Sequence, residues 1–319
     1  MMRDILAAER YNNESHLKKN DMKTETDILK LLVPACALAL LPACTAGEVP
    51  LSGYPASVEE ERDVYYVSCA VAPRATDAPP GTGFITSLNR RGSILARNAF
   101  PGVRLDFPGG IEIEDGVLYV ADGSRVVGIS LRSGVLTHVF DLSTENTKAL
   151  TGLAESDDFL YVTATDIRKI FRISLRDGSR EEIPTSEPLD APAGIDVDDG
   201  MIYVGEAATT PDGAPAGKIK AFPASGTGPR HVSVIHSVPG IYKGVLVKEH
   251  EDIFGRERDY LYFSDASAAG NSAPVRRIDL RTREAEDVVR TPMDGPADFI
   301  VEDGDVWVPA TLDKKIVID

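Results

Sequence analysis

A repeated pattern constrains this chain more than any other feature. Six segments lead from alternating apolar residues through a turn to a hydrophobic stretch with an aromatic residue near its end, and Pro108 to Asp122 (PGGIEIEDGVLYVAD) is the clearest copy. The aromatic residues follow one another at intervals of 53, 42, 42, 59 and 45 residues: Tyr66, Tyr119, Tyr161, Tyr203, Tyr262 and Trp307. Repeats at this spacing indicate a solenoid, a propeller or another array.

The period of the apolar residues decides among these architectures. Ile111 and Ile113 alternate with acidic residues, which is the period of a strand and not of a helix. Asp115-Gly116 suits a tight hairpin turn, because both central residues of such a turn need positive φ. A second hairpin follows in the copy, from Val127 to Phe140. Four antiparallel strands per copy predict an all-β fold, a six-bladed β-propeller of four-stranded antiparallel blades.

The chain ends one strand short of a complete sixth blade. Ile316 to Asp319 corresponds to the third strand of that blade. A propeller left open at this point would expose the edge of a sheet. We therefore predict that the segment around Glu48 to Gly53 supplies the outer strand and closes the ring.

The N-terminal part precedes the propeller and has a different character. Leu31 to Ala43 is an apolar run of 13 residues, too short to span a membrane and typical of a signal peptide. Leu41 to Cys44 (LPAC) resembles the lipobox of bacterial lipoproteins, which implies cleavage before Cys44 and a lipid on its sulfur. An ordinary signal peptide with a chance cysteine is the alternative. We expect an extension from a mis-assigned start codon in residues 1–21, a lipoprotein signal peptide in 22–43 and the propeller in 44–319.

Charge and cysteine content limit the partners. The net charge is −16, so no basic surface for nucleic acid is expected. We instead expect the protein to bind to the membrane through the lipid on Cys44. By resemblance to lipoproteins of enteric bacteria, Thr45 after that cysteine favours the outer membrane of the cell envelope over the inner one. With Cys36 cleaved away and Cys44 lipidated, Cys69 has no partner for a disulfide within the mature chain.

The openings of the first strands are candidate site positions, because the first strand of each propeller blade lines the central channel. Aligning the repeats places one residue per blade at the same position: Ser57, Gly110, Gly152, Gly194, Gly244 and Asp298. Glycine is expected where backbones crowd. Since the first and sixth blades are neighbours, Ser57 and Asp298 are predicted to meet at the channel mouth, with Lys243 within reach. Both a site for a polar ligand or cation and a merely structural ion pair remain open.

Three further carboxylates recur at equivalent positions. Asp106, Asp190 and Asp294 each stand two residues before the proline that opens the first strand of the second, fourth or sixth blade. Facing a channel, they would hold calcium or another divalent cation through oxygen ligands. The alternative is that each caps a turn through its own backbone. No other cofactor is expected.

Long loops rich in proline, glycine and alanine follow three of the second strands, at 70–81, 207–217 and 266–274. Propeller topology places them on one face, together with the connections between blades. Variable loops on a rigid ring are frequent sites of binding. We therefore expect a ligand or a protein partner on this long-loop face.

The repeat P-x-G-(I/L)-x-(V/A)…DG-x-(L/I)-Y-V resembles six-bladed propellers of the senescence-marker-protein/gluconolactonase, NHL and TolB-like types. In the gluconolactonase type, the resemblance implies a divalent metal held in the channel by a Glu, Asn residues and an Asp. Here only Asp298 is an acidic match, and no Asn lies at such an opening. We expect a lipid-anchored propeller that binds a small ligand or an envelope protein without catalysis. The alternative is a metal-dependent hydrolase that uses Asp298 with Asp106, Asp190 and Asp294.

Overall fold

The computed structural model describes residues 47–74, 77–251, 257–267 and 274–319. Ala46–Asp319 forms one compact unit. The expected N-terminal extension, the signal peptide and Cys44 lie outside the described residues. Within them there is no α-helix, and short 3₁₀ helices occur at Ser143–Glu145 and Thr165–Ile167. No helix of the described chain is both long and apolar enough to cross a membrane.

The described strands form six four-stranded antiparallel sheets. The first five blades each use four consecutive strands. Blade one contains β2 (Tyr54–Glu61), β3 (Val64–Ala70), β4 (Phe84–Asn89) and β5 (Ile94–Ala96). Blade two contains β6 (Pro108–Glu114), β7 (Val117–Asp122), β8 (Arg125–Ser130) and β9 (Leu136–Asp141). Blade three contains β10 (Leu150–Ser156), β11 (Phe159–Ala164), β12 (Lys169–Ser174) and β13 (Arg180–Glu182).

The remaining blades complete the ring. Blade four contains β14 (Pro192–Asp198), β15 (Met201–Glu206), β16 (Gly217–Pro223) and β17 (Ser233–Gly240). Blade five contains β18 (Tyr242–Glu251), β19 (Glu257–Asp265), β20 (Val275–Asp279) and β21 (Ala285–Val289). Blade six contains β22 (Ile300–Glu302), β23 (Asp305–Ala310), β24 (Lys315–Ile318) and, as its outer strand, β1 (Gly47–Pro50). The predicted six-bladed β-propeller is confirmed.

The two ends of the chain share blade six, as predicted. β1 runs antiparallel to β24, and Val49 is paired with Ile316. Leu51 continues the ladder through its N–H, which donates to the carbonyl of Lys314 at 2.8 Å. The edge of β24 is therefore covered by a segment from the other end of the propeller.

The hairpin turns have the predicted backbone. In the turn between β6 and β7, Asp115 has φ 50° and Gly116 has φ 71°. Asp199-Gly200 and Asp303-Gly304 likewise have positive φ at both residues. Asp tolerates this conformation better than most residues, and Gly adopts it freely. The local sequence thus sets the register of each first strand against the second.

Each apolar core lies between two neighbouring blades. Six clusters of buried apolar residues can be distinguished, and each takes its members from an adjacent pair of blades. At the closure, Tyr65 of blade one stacks on Trp307 of blade six with ring centroids 3.8 Å apart. Burial of apolar side chains between blades is therefore what holds the ring together.

Candidate functional site

A cavity of about 210 Å³ opens at the mouth of the channel, and we call it the channel-mouth cavity. Each blade contributes to its lining at one repeat position, directly before the aligned Ser, Gly or Asp: Ala56, Gly109, Thr151, Ala193, Lys243 and Ala297. Pro73 and Ala207 add two of the long loops to the wall. The central channel and the long-loop face therefore meet at this cavity.

Two of the three threonines that line the cavity donate hydrogen bonds across blade boundaries, and the third bonds to one of them. Thr165 Oγ1 donates to the carbonyl of Pro192 at 2.6 Å, and Thr311 Oγ1 donates to that of Pro55 at 2.7 Å. Thr151 Oγ1 lies 2.6 Å from Thr165 Oγ1. These bonds fix the rim of the cavity and use the hydroxyl groups that a ligand would otherwise contact.

Ser57 and Asp298 lie in contact. Ser57 Oγ donates to Asp298 Oδ2 at 3.0 Å and accepts the N–H of Ile111 at 3.3 Å. Asp298 also lines the cavity. Burial raises the pKa of Asp298 to about 7, although the hydrogen bond from Ser57 acts in the opposite direction. This carboxyl group therefore changes its charge near neutral pH.

Lys243 lines the same cavity but does not pair with Asp298. Among the described residues, no hydrogen bond and no ion pair within 4.0 Å holds its ammonium group. Burial lowers the pKa of Lys243. An ammonium removed from water without a partner is costly, and a bound anion would reduce that cost. At the repeat position that Lys243 occupies, the other five blades have Ala, Gly or Thr.

A second layer of carboxylates comes from the first strands of three blades. It lies three residues after the position that lines the cavity, at Glu59, Glu112 and Asp196. Burial and then repulsion from Glu112 and Asp298 raise the pKa of Glu59 well above its usual value. Burial raises the pKa of Asp196 to about 6, against hydrogen bonds from the N–H groups of Val247 and Val197. We did not predict this layer. The sequence feature that could have indicated it is the alternation in β6, where Glu112 stands between Ile111 and Ile113.

Asp106, Asp190 and Asp294 are not brought together. Asp106 Oδ1 accepts the N–H of Gly81 at 2.7 Å, and Asp190 forms an ion pair with Arg168 at 3.3 Å. In the described part of the chain, no three His, Cys, Asp or Glu side chains are placed to hold a metal ion. The residues at the channel openings therefore do not fit the metal cage that the gluconolactonase resemblance implies.

Other carboxylates fix the segments that carry these aspartates. Asp122, at the end of β7, accepts the N–H groups of Asp106 and Phe107, each at 2.7 Å. Glu206, at the end of β15, accepts the N–H of Asp190 at 2.7 Å and pairs with Lys220 at 2.6 Å. Because Phe107 lines the cavity, these buried side chains position its wall.

Cys69 offers no reactive thiol at this site. It is a free cysteine, its side chain is buried, and it does not line the cavity. Burial raises the pKa of Cys69 to about 12. Since the thiolate is the reactive form, this cysteine is expected to serve packing only.

Solved structures of known proteins share the fold. No protein-family model and no curated protein sequence matches the chain. Virginiamycin B lyase from Staphylococcus aureus superposes with a TM-score of 0.53 at 14% identity, over 86% of this chain and 98% of that one. An auxiliary nutrient binding protein from Bacteroides thetaiotaomicron VPI-5482 gives 0.60 at 8% identity, over 84% and 69%. A streptogramin B lyase gives 0.55 at 13% identity, over 86% and 96%. At such identities the likeness establishes a six-bladed β-propeller and leaves the ligand open.

Proposed function

We propose that this propeller is a binding module of the bacterial envelope and that it binds a small ligand in the channel-mouth cavity. The observation that carries the proposal is Lys243, a partly buried ammonium with no partner among the described residues, in a cavity lined by all six blades. The volume of about 210 Å³ is below the range of roughly 300–1,000 Å³ for sites of drug-sized ligands. The ligand is therefore small.

The residues that line the cavity fit the binding of a ligand better than they fit catalysis. The described histidines, at 138, 231, 236 and 250, do not line the cavity. Ser57 Oγ donates a hydrogen bond to Asp298 and accepts one from the N–H of Ile111, its side chain is fully buried, and no described histidine bonds to it to make it a nucleophile. Among proteins of this fold, one is named for nutrient binding and others for lyase activity, so the fold is compatible with a binding role. Among the described residues, no three His, Cys, Asp or Glu side chains are placed to hold the metal ion that the alternative, a metal-dependent hydrolase, would need.

Filling the cavity is the direct test of this proposal. We expect that, in a thermal-shift screen of amino acids, short carboxylic acids, amines, sugars and lactones, at least one class raises the melting temperature of the wild type. Ala207→Phe should abolish that shift, because Ala207 lines the cavity and a phenylalanine side chain there would fill part of it. Ala78→Phe is the matched control, since Ala78 does not line the cavity and lies beside a neighbouring pocket that shares only Phe107 with it.

Two results would contradict the proposal. One is a screen in which no class shifts the melting temperature of the wild type. The other is a stabilising compound whose effect survives Ala207→Phe. Loss of the shift in both Ala207→Phe and Ala78→Phe would place binding on the outer loops instead.

We propose further that a lipid on Cys44 anchors the propeller to the outer membrane. The apolar run from Leu31 to Ala43 and the LPAC sequence ending at Cys44 support this proposal. In a bacterial host, labelled palmitate should be incorporated into the wild type and not into Cys44→Ser, whereas Cys36→Ser should retain the label. Label that persists in Cys44→Ser would refute the anchor, and fractionation with the inner membrane would refute the assignment to the outer one.

A further inference from the structure

The channel-mouth cavity holds two groups of opposite charge that do not neutralise each other. Lys243 comes from blade five and Asp298 from blade six, and both line the cavity. Their backbones are close: a Cβ on Gly244 would lie 2.9 Å from the Cα of Asp298. Even so, no ion pair within 4.0 Å joins the two side chains among the described contacts. The two charges therefore remain available to separate groups of one ligand.

The rest of the wall is mostly apolar. Phe107, Leu150, Ala193 and Ala297 line it together with Pro73. The hydroxyls of Thr165 and Thr311 already donate to backbone carbonyls of neighbouring blades, and that of Thr151 is bonded to other threonine hydroxyls. A ligand rich in hydroxyl groups, such as a sugar, would therefore find few free partners, and unpaired polar groups in such a site are costly.

Asp298 retains the capacity to accept a further hydrogen bond. A carboxylate has about four acceptor positions. Ser57 occupies one on Oδ2, and the N–H of Phe299 occupies one on Oδ1, at 3.2 Å. A ligand ammonium can therefore bind to Asp298 without displacing Ser57.

We infer that the ligand of the channel-mouth cavity is a small zwitterion with an apolar body, such as a free apolar α-amino acid, whose carboxylate binds Lys243 and whose ammonium binds Asp298. This inference rests on the proposed function and specifies its ligand class. Charge-assisted hydrogen bonds to both ends would orient the molecule. The apolar body would lie against Phe107 and Leu150.

Four compounds that share the isobutyl group of leucine separate the two charges. L-Leucine carries both, 4-methylpentanoate lacks the ammonium, 3-methylbutylamine lacks the carboxylate, and 3-methylbutanol has neither. By isothermal titration calorimetry, we expect leucine to bind the wild type at least about 30-fold more tightly than any of the other three. Removing one partner of a buried, hydrogen-bonded charge pair weakens binding by at least this factor. Lys243→Met should weaken leucine binding by a similar factor, and Lys218→Met, which changes an exposed lysine outside the cavity, should not.

The pH dependence of binding gives a second readout that a loss of fold would not mimic. The titratable groups around Asp298 come from four other blades: Glu59, Glu112, Asp196 and Lys243. Because the carboxyl group of Asp298 must lose its proton to bind an ammonium, leucine affinity should rise about 20-fold between pH 5.5 and pH 7.5. In Asp298→Asn most of this rise should disappear, and what remains would reflect the other carboxylates.

The outcomes distinguish this inference from the proposed function. If 4-methylpentanoate or 3-methylbutanol binds as tightly as leucine, and Ala207→Phe abolishes that binding, the function stands and the zwitterion is refuted. If leucine binds but is unaffected by Ala207→Phe, both fail. If leucine does not bind the wild type at all, the inference fails, and the wider screen decides the function.

Discussion

A chain that begins at Ser52, without β1 and Leu51, is expected to lose about 5 kcal/mol of unfolding free energy and to self-associate. Four paired positions of the β1–β24 ladder disappear with this segment. Leu51, which is 8% exposed, leaves the cluster that also contains Trp307 and Ile316. Burial of one leucine contributes about 1.5–3 kcal/mol, and the lost ladder and the packing of Val49 account for the remainder.

Self-association follows from the exposed edge. Without β1, the N–H and C=O groups of β24 that faced it have no partner, and an open edge is a template for pairing with another chain. Guanidinium unfolding and sedimentation would measure both effects against a chain that begins at Ala46. In that longer chain, Glu48→Ala removes only the exposed ion pair with Lys315 and should cost less than about 1 kcal/mol. An unchanged midpoint and a monomeric Ser52 chain would show that β1 does not close the ring.

Gly110→Ala is expected to destabilise the propeller by about 3 kcal/mol, at the upper end of the usual cost of overpacking. A Cβ at Gly110 would lie 2.6 Å from the carbonyl oxygen of Thr151 and 2.7 Å from the N of Leu153. Both are backbone atoms of the neighbouring blade, so no side-chain rotation relieves the overlap. The register of β6 against β7 also shifts between Pro108 and Ile111, and β6 contacts β10 of blade three.

Thermal unfolding provides the measurement, with an expected fall in melting temperature of roughly 5–10 °C. Gly102→Ala is the matched control, because nothing lies within 4 Å of a Cβ at Gly102. Its melting temperature should stay within about 1–2 °C of the wild type. Equal melting temperatures for the two variants would mean that the first strands do not approach each other as closely as the structure has them.

The fold could be predicted because its determinants are local and repeated. The Asp-Gly turn at Asp115-Gly116 and the alternation of Ile111 with Ile113 specify a hairpin within a few residues, and copies of that hairpin specify blades. Ring closure followed from counting strands, since the repeat placed the third strand of blade six at Ile316 to Asp319 and the edge of that strand still needed an outer strand. The prediction of an outer strand around Glu48 to Gly53 needed no knowledge of side-chain contacts.

The candidate site was less predictable, because it depends on contacts between blades. Alignment placed Ser57 and Asp298 at one level of the ring, and they do lie in contact. The same reasoning grouped Asp106, Asp190 and Asp294 by sequence position, yet Asp106 contacts Gly81 and Asp190 contacts Arg168. Residues at equivalent positions of alternate blades lie at the same level along the propeller axis, but this does not bring their side chains into contact.

Two features of the site become clear only when side-chain environments are known. In the sequence, Glu59, Glu112 and Asp196 look like ordinary acidic residues of alternating strands, but burial raises the pKa of each. Lys243 was identified as a neighbour of Asp298 in the ring. That its ammonium has no partner among the described residues depends on every side chain around the cavity.

The most direct test of whether the channel-mouth cavity is the functional site is the structure of a crystal grown with the most stabilising compound of the screen. We expect this compound to occupy the space between Lys243 and Asp298, with a polar atom within about 3 Å of Lys243 Nζ. A compound bound on the outer strands or on the loops away from the channel, with the cavity empty, would contradict this expectation.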